Sequence, residues 1–578
     1  MNQPRLTTNK SQTMISEHEV QERSRNQLQA VLVSLLILAA LLTLFALRLL
    51  DDNRLVSWLW IFADFSPIKF FIVLTVGLLI SYPLSKFSLP ERTSIFLLSI
   101  ASFLVAAFFW QQPEVIVDAS RYFVQAKHLE LYGVGYFLKE WGNEIPAWTD
   151  LPLIPFIYGV IFRIFGENRI SIQIFNTLLF SGTVVLTYLI GKTLWNKNIG
   201  LYASALLLGM PYLIIQVPLM MVDVATMFFL TLAVFATIKA VDIRKAALFM
   251  SASVAVTLAM LTKYSNWLML SIIPIIFLVY LHQDWKVLAR RGSAMALCVL
   301  LLMVIFLLTK YDLILKQLQM LHDFQAPALY RWQESWTSTF FFQIHPVITL
   351  SALFSIYVAI IKRDAKYLII CWMLMLVFLL EIKRIRYSIA VFPMLAIMGS
   401  YGIAALRSIE TRKFIVSCTA VSAVLVTAIA YLPFLEKTSA INIMHAGKYL
   451  DSINTEYAEV FVLPQTTSSI NPVIAVQMLD LFTKRDIVYF ERREHKTPQN
   501  ITELPWRWTW EIQSPLYSVN KDNFANNAET IVVIQSNSSQ QVPQYVDRRL
   551  ENYRLVKKFI NSSSVFKYRT LVYIYQHT

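Results

Sequence analysis

IFLLSIASFLVAAFFW (Ile95 to Trp110) leads, past a short polar break, into Val117-Asp118-Ala119-Ser120-Arg121-Tyr122-Phe123. The first segment is an uninterrupted apolar run, and a helix needs roughly 20 such residues to cross about 30 Å of hydrocarbon. Asp118 therefore emerges at a membrane surface, where its carboxylate faces whatever chemistry occurs on that side. An ordinary linker does not read Asp-x-x-Arg-Tyr-Phe and then Ala126-Lys127-His128-Leu129-Glu130-Leu131-Tyr132-Gly133.

The rest of the chain repeats the pattern. Of its 578 residues 56% are hydrophobic and only 15% charged, with a mean hydropathy of +0.52, which excludes an ordinary soluble globule. The apolar runs do not alternate, so a closed β-barrel is excluded as well. A net charge of +14 in such a chain reports inward-facing loops and lipid headgroups, and no nucleic-acid motif accompanies it. Cys298, Cys371 and Cys418 all fall inside apolar runs and read as small packing residues.

Candidate spans lie near 28–50, 68–85, 93–110, 171–190, 199–217, 223–240, 246–262, 266–281, 294–309, 343–361, 367–381, 388–406 and 414–434, about thirteen by hydropathy. The expected fold is an α-helical polytopic membrane protein. Residues 1–27, polar and mixed in charge, form a cytoplasmic tail rather than the head of a cleavable signal, and 28–434 form the transmembrane domain. With the N-terminus inside, the loops holding Lys86/Arg92, Lys192/Lys197, Arg244/Lys245, Lys286/Arg290/Arg291, Lys362/Arg363/Lys366 and Arg407/Arg412/Lys413 all fall on the cytoplasmic side. Leu151 to Phe165 is too short to span, carries Arg163 and two prolines, and reads as a juxtamembrane or re-entrant helix. The loop 111–170, the loop 310–343 and everything after Leu435 are then extracytoplasmic.

The tail 435–578 changes character. Glu459–Leu463, Asp486–Phe490, Thr530–Ile534 and Leu571–Tyr575 read as strands, and Asn471–Phe482 and Val542–Tyr553 as helices, so a small extracytoplasmic α/β domain is expected. Asn500, Asn537 and Asn561 open glycosylation triplets of a kind common by chance in polar domains.

Glu381-Ile-Lys383-Arg384-Ile-Arg386-Tyr387 breaks the charge pattern by gathering three cations on the extracytoplasmic side. Two readings stand: an anion site, for which the planar Arg fork suits phosphate oxygens, or snorkelling to lipid headgroups. Lys263 ends one span on that side and reaches either the same phosphate or headgroups, and Asp223 opens another span there, as a helix-terminal acid or a functional one. Asp118 is either a solvated loop acid paired with Arg121 or a general base, a role worth roughly 10² to 10⁴ in rate. Asp150 closes the same loop, where it orients an acceptor, holds a divalent ion with Asp118, or does ordinary turn work. His128, His322 and His345 fall on that side but form no metal motif, so metal dependence stays open.

In this order the features resemble the polyprenyl-phosphate-sugar-dependent membrane glycosyltransferases of superfamily C, in particular the family 39 group of protein O-mannosyltransferases and lipid A aminoarabinose transferases. The resemblance runs from about Asp118 to Ala405. It rests on Asp118 followed by Arg121-Tyr122, on Leu151-Pro-Leu153 ahead of Ile164-Phe-Gly166, on Asp223, on Thr262-Lys263, and on Arg386-Tyr387 leading into the span with Pro393. It implies a sugar donor on a polyprenyl or dolichyl monophosphate and a lipid, glycan or protein acceptor, with catalysis by Asp118 and Asp150. It also implies donor-phosphate binding by Lys263, Lys383, Arg384, Arg386 and Tyr387, substrate positioning by Arg121, Tyr122 and Asp223, and inversion at the anomeric carbon. A bacterial inner membrane with an extracytoplasmic site fits it. The chain departs from the group in having Asp118-Ala119 where Asp-Glu is usual, so the second acid's role comes from elsewhere or is absent, and in placing two spans ahead of the usual first helix. The rival class, a flippase for lipid-linked sugars or another transporter, calls for mid-membrane ionisable groups and internal repeats, and neither is visible.

Overall fold

The computed structural model describes residues 7–87, 90–281, 285–327, 334–465, 468–489, 506–511, 528–562 and 565–578. Every expected span coincides with a helix or a run of consecutive helices. Gln27–Ala46, Pro67–Lys86, Arg169–Leu194, Asp223–Ile243, Trp285–Thr309, Ile385–Ala404 and Ile409–Glu436 are long and apolar enough to cross a membrane. Shorter apolar helices include Leu153–Phe165, Ala246–Met260, Pro346–Lys362 and Tyr367–Leu379. The chain is an integral membrane protein.

Helices in lipid gain little from burying apolar surface against one another, so close packing of small residues decides which of them meet. The Pro346–Lys362 and Phe392–Ala404 helices cross at Gly402, where a Cβ would overlap the Ser351 carbonyl oxygen. Gly402→Ala is expected to force these helices apart at a cost of about 1–3 kcal/mol, read as a lower unfolding temperature in detergent. The first span is pinned at its end by Asp51, which accepts hydrogen bonds from Trp58 N (2.6 Å), Gln343 Nε2 (2.9 Å) and Ser338 Oγ (2.5 Å). Trp58 Nε1 in turn donates to Tyr431 Oη at 3.0 Å in the last span.

Within the segment 111–170 the helix expected over Leu151–Phe165 is present, and the stretch ahead of it is helical too. The segment folds as two helices, Ile116–Glu140 and Leu153–Phe165. Its length and polarity disguise an amphipathic helix whose Leu131, Tyr132, Val134 and Leu138 stay exposed, as in a helix lying in a membrane interface. Gly133 breaks this helix at φ +86°, a left-handed conformation that favours glycine; a Cβ there would meet only the end of the exposed, flexible Arg163 side chain.

Among the described residues the C-terminal region carries a five-stranded sheet of order β2-β1-β3-β5-β4, with β1 Tyr457–Val462, β2 Asp486–Tyr489, β3 Thr530–Gln535, β4 Tyr553–Phe559 and β5 Leu571–His577. β2, β1 and β3 run parallel, while β5 and β4 are antiparallel additions. Ile474–Leu481 and Gln544–Leu550 supply the expected helices. β4 was not expected from sequence. It is an edge strand with exposed Lys557 and Lys558 and a register shift between Leu555 and Lys557, so the alternation that betrays a half-buried strand is missing. The triplet at Asn500 lies outside the described residues.

Candidate active site

Asp118 sits in the first turn of the Ile116–Glu140 helix, where the macrodipole favours an acid. Helical spacing puts Arg121, Tyr122 and Gln125 on its face at i+3, i+4 and i+7. Arg121 Nε lies 2.9 Å from Asp150 Oδ2, and its Nη2 donates to Tyr122 Oη at 2.9 Å. Gln125 Nε2 also donates to Asp150 Oδ2 at 3.2 Å, and Gln317 Nε2 to the Asp150 carbonyl at 2.9 Å. Asp150 is thus held from three directions rather than standing in a free turn.

Arg386 ties this half of the site to the other. Its Nη1 lies 2.7 Å from Asp118 Oδ2 and its Nε 3.0 Å from Asp223 Oδ2, while Lys263 Nζ reaches Asp223 Oδ1 at 2.7 Å. Asp223, the first residue of its helix, is 3% exposed, so its carboxylate is a fully engaged partner and not a solvated terminal acid. The Tyr387 ring lies under both Lys263 Nζ (5.6 Å) and Arg384 Cζ (5.4 Å). Arg384 Nε stands 3.9 Å from Glu334, which accepts from Ile385 N at 3.3 Å. Lys383 turns away: it is 39% exposed and only 3.8 Å from Glu381.

One pin sets the lip that carries Asp223. Glu114 Oε1 meets Arg169 Nε at 2.7 Å, and Glu114 Oε2 accepts from Met220 N at 2.9 Å. Arg169 also donates to the carbonyls of Trp110 (3.2 Å) and Gln112 (2.6 Å). A buried pair is weak evidence for stability but strong evidence for geometry, because removing one partner strands the other. Here it locks the end of the Glu91–Ala107 helix, the start of the Arg169–Leu194 helix and the turn before Asp223 together.

The environments of the two loop acids push them apart. Burial raises the Asp118 carboxyl, but the Arg386 and Arg121 guanidinium groups outweigh it and hold Asp118 below the usual carboxylate range. Burial of Asp150 wins over Arg121 and raises it. Burial also pushes Glu334 up to about 7. Acids separated in this way are a common basis for dividing labour in a site. Among the described residues no group of three His, Cys, Asp or Glu side chains gathers as a metal-binding set, and Asp118 and Asp150 each face an arginine.

Sequence reasoning missed Glu334, Gln125, Gln317 and the contacts from the C-terminal region. Gln125 was within reach once 116–140 is read as a helix. Nothing local marks the others, whose partners lie far along the chain.

Part of the chain matches a known family, and its fold is shared by solved structures. Residues 149–309 match the family described as dolichyl-phosphate-mannose-protein mannosyltransferase. Among solved structures it is similar to ArnT from Cupriavidus metallidurans bound to undecaprenyl phosphate, at 12% identity and a TM-score of 0.51, covering 84% of this chain and 98% of that one. The apo state of the same protein aligns with 13% identity, a TM-score of 0.50 and the same coverage. No curated protein matches the chain.

Proposed function

We propose that the protein is an integral-membrane glycosyltransferase that moves a sugar from a polyprenyl monophosphate to an acceptor at the extracytoplasmic face. The observation that carries this reading is Arg386 bridging Asp118 and Asp223, because it joins a carboxylate able to take a proton to the cations able to receive a phosphate. Support also comes from the family match over 149–309 and from the fold shared with a protein solved with undecaprenyl phosphate.

In this reading an acceptor hydroxyl attacks the anomeric carbon and its proton passes to Asp118. The bond from that carbon to the phosphate oxygen breaks, and its electron pair leaves with the lipid phosphate, whose charge Lys263, Arg384 and Arg386 stabilise. Direct displacement inverts the anomeric centre. Asp118 is ionised and ready at neutral pH, though Arg386 makes it a weak base. A phosphate that draws Arg386 toward itself loosens that pairing and strengthens Asp118 as a base when the donor is in place.

Mass spectrometry of lipid-linked and envelope glycans, from cells with active and inactive protein, tests the reading. Loss of one glycan modification together with accumulation of its lipid-linked sugar is expected. Identical glycan and lipid profiles would contradict it.

A further inference from the structure

Among the described residues, the C-terminal region reaches into the Arg121–Asp150 half of the site through the short segment 506–511. The Trp508 ring lies 5.0 Å from Arg121 Cζ, on the same guanidinium that Tyr122 flanks at 4.9 Å. Trp508 also packs against Trp148, with ring centroids 5.3 Å apart, and Trp148 Nε1 donates to Glu511 Oε2 at 2.8 Å. Two residues beyond Trp508, the same stretch is anchored back to its own domain by Trp510 Nε1, which donates to the Ser469 carbonyl at 2.9 Å. On its other side Arg507 Cζ sits 3.7 Å from the Phe324 ring centroid.

Trp148 has φ +41°, a left-handed backbone that a bulky residue adopts only when its surroundings hold it there. The turn it occupies ends at Asp150, whose N–H donates to the Ala147 carbonyl at 2.7 Å. What holds Trp148 therefore also sets Asp150. The holding groups, Trp508 and Glu511, belong to the other end of the chain.

We propose that Trp508 is a positioning residue: its ring face keeps the Arg121 guanidinium on Asp150, so that the C-terminal region completes the site it adjoins. A cation on an aromatic face gains most where water is excluded, and Trp508 is only 8% exposed. The inference deepens the glycosyltransferase reading and rests on it for the meaning of Asp150, but its geometry is measurable without any transfer.

The groups facing Asp150 are Arg121, Gln125, Asp118 and Lys263, and of these Arg121 does most to keep it ionised. Without Trp508 the guanidinium keeps only Tyr122 beside it and is held less firmly on Asp150, which should then keep its proton to higher pH. A hydrophobic carbodiimide adds only to a protonated carboxyl, so the pH midpoint of Asp150 labelling, mapped by peptide mass spectrometry on the full-length protein, reports that proton. Trp508→Ala should raise the midpoint by about one pH unit, with the low-pH plateau marking access separately, and Trp508→Phe should stay near wild type. An unchanged midpoint in Trp508→Ala, or an equal rise in Trp508→Phe, would overturn the proposal. Transfer measured alongside should fall in kcat more than it rises in KM for Trp508→Ala. If the wild-type protein transfers no sugar from any polyprenyl-phosphate donor, the glycosyltransferase reading fails while the labelling still decides the role of Trp508.

Discussion

Arg386→Ala should abolish sugar transfer and lower the stability of the folded protein by about 3–5 kcal/mol. The substitution leaves Asp118 and Asp223 facing each other's charge with one shared cation gone, and Asp223 is 3% exposed. Lys263 still compensates Asp223, so Asp118 carries most of the loss. Arg386→Lys separates the two effects. A single ammonium supplies charge but lacks the planar fork that spans two carboxylates, so much of the stability should return while transfer stays depressed by roughly tenfold or more. Thermal unfolding in detergent and initial rates with a polyprenyl-phosphate sugar check both halves. Equal recovery of stability and rate in Arg386→Lys would mean that the fork has no part in the reaction.

The second large effect is expected at Asp118. Asp118→Asn keeps the shape of the side chain and an oxygen for Arg386, so unfolding should move by only a few degrees. It removes the group proposed to take the acceptor proton, and transfer should fall by roughly 10² to 10⁴. The pH profile is informative too. Because Arg386 and Arg121 hold Asp118 below the usual carboxylate range in the donor-free protein, wild-type kcat/KM should not lose this base until the pH drops below that range. Near-normal turnover in Asp118→Asn would remove the residue from the mechanism.

Much of this was legible because membranes make charge expensive. Asp118, Asp223, Lys263 and Arg386 stood out as ionisable residues at the ends of apolar runs, and the structure brings all of them into one connected set of ion pairs. The helices were legible for the same reason, since hydropathy is local. Four of the five strands showed as short apolar runs, whereas β4, an exposed edge, did not. What sequence withheld was the partner list. Glu334 and Arg384 meet across fifty positions, and Trp508 meets Arg121 across nearly four hundred, at spacings no periodicity encodes.

Ala119 illustrates the limit. An acid beside Asp118 was the expected pattern, and its absence left a second carboxylate to be found elsewhere. In the folded chain Ala119 is wholly buried. Asp150 and Asp223 gather around Asp118's neighbours from other elements instead. Under the proposed function a second acid would come from tertiary structure, and Asp150 is held by its pairing with Arg121.

The central claim is that a sugar leaves a lipid phosphate at this cluster, and the most direct test follows both products. Purified protein in vesicles, given a polyprenyl-monophosphate sugar and an envelope acceptor fraction, should release free polyprenyl monophosphate in a one-to-one ratio with sugar transferred. Asp118→Asn should release neither. Movement of the intact lipid-linked sugar across the vesicle membrane, with no polyprenyl monophosphate formed, would contradict the account and identify a transporter.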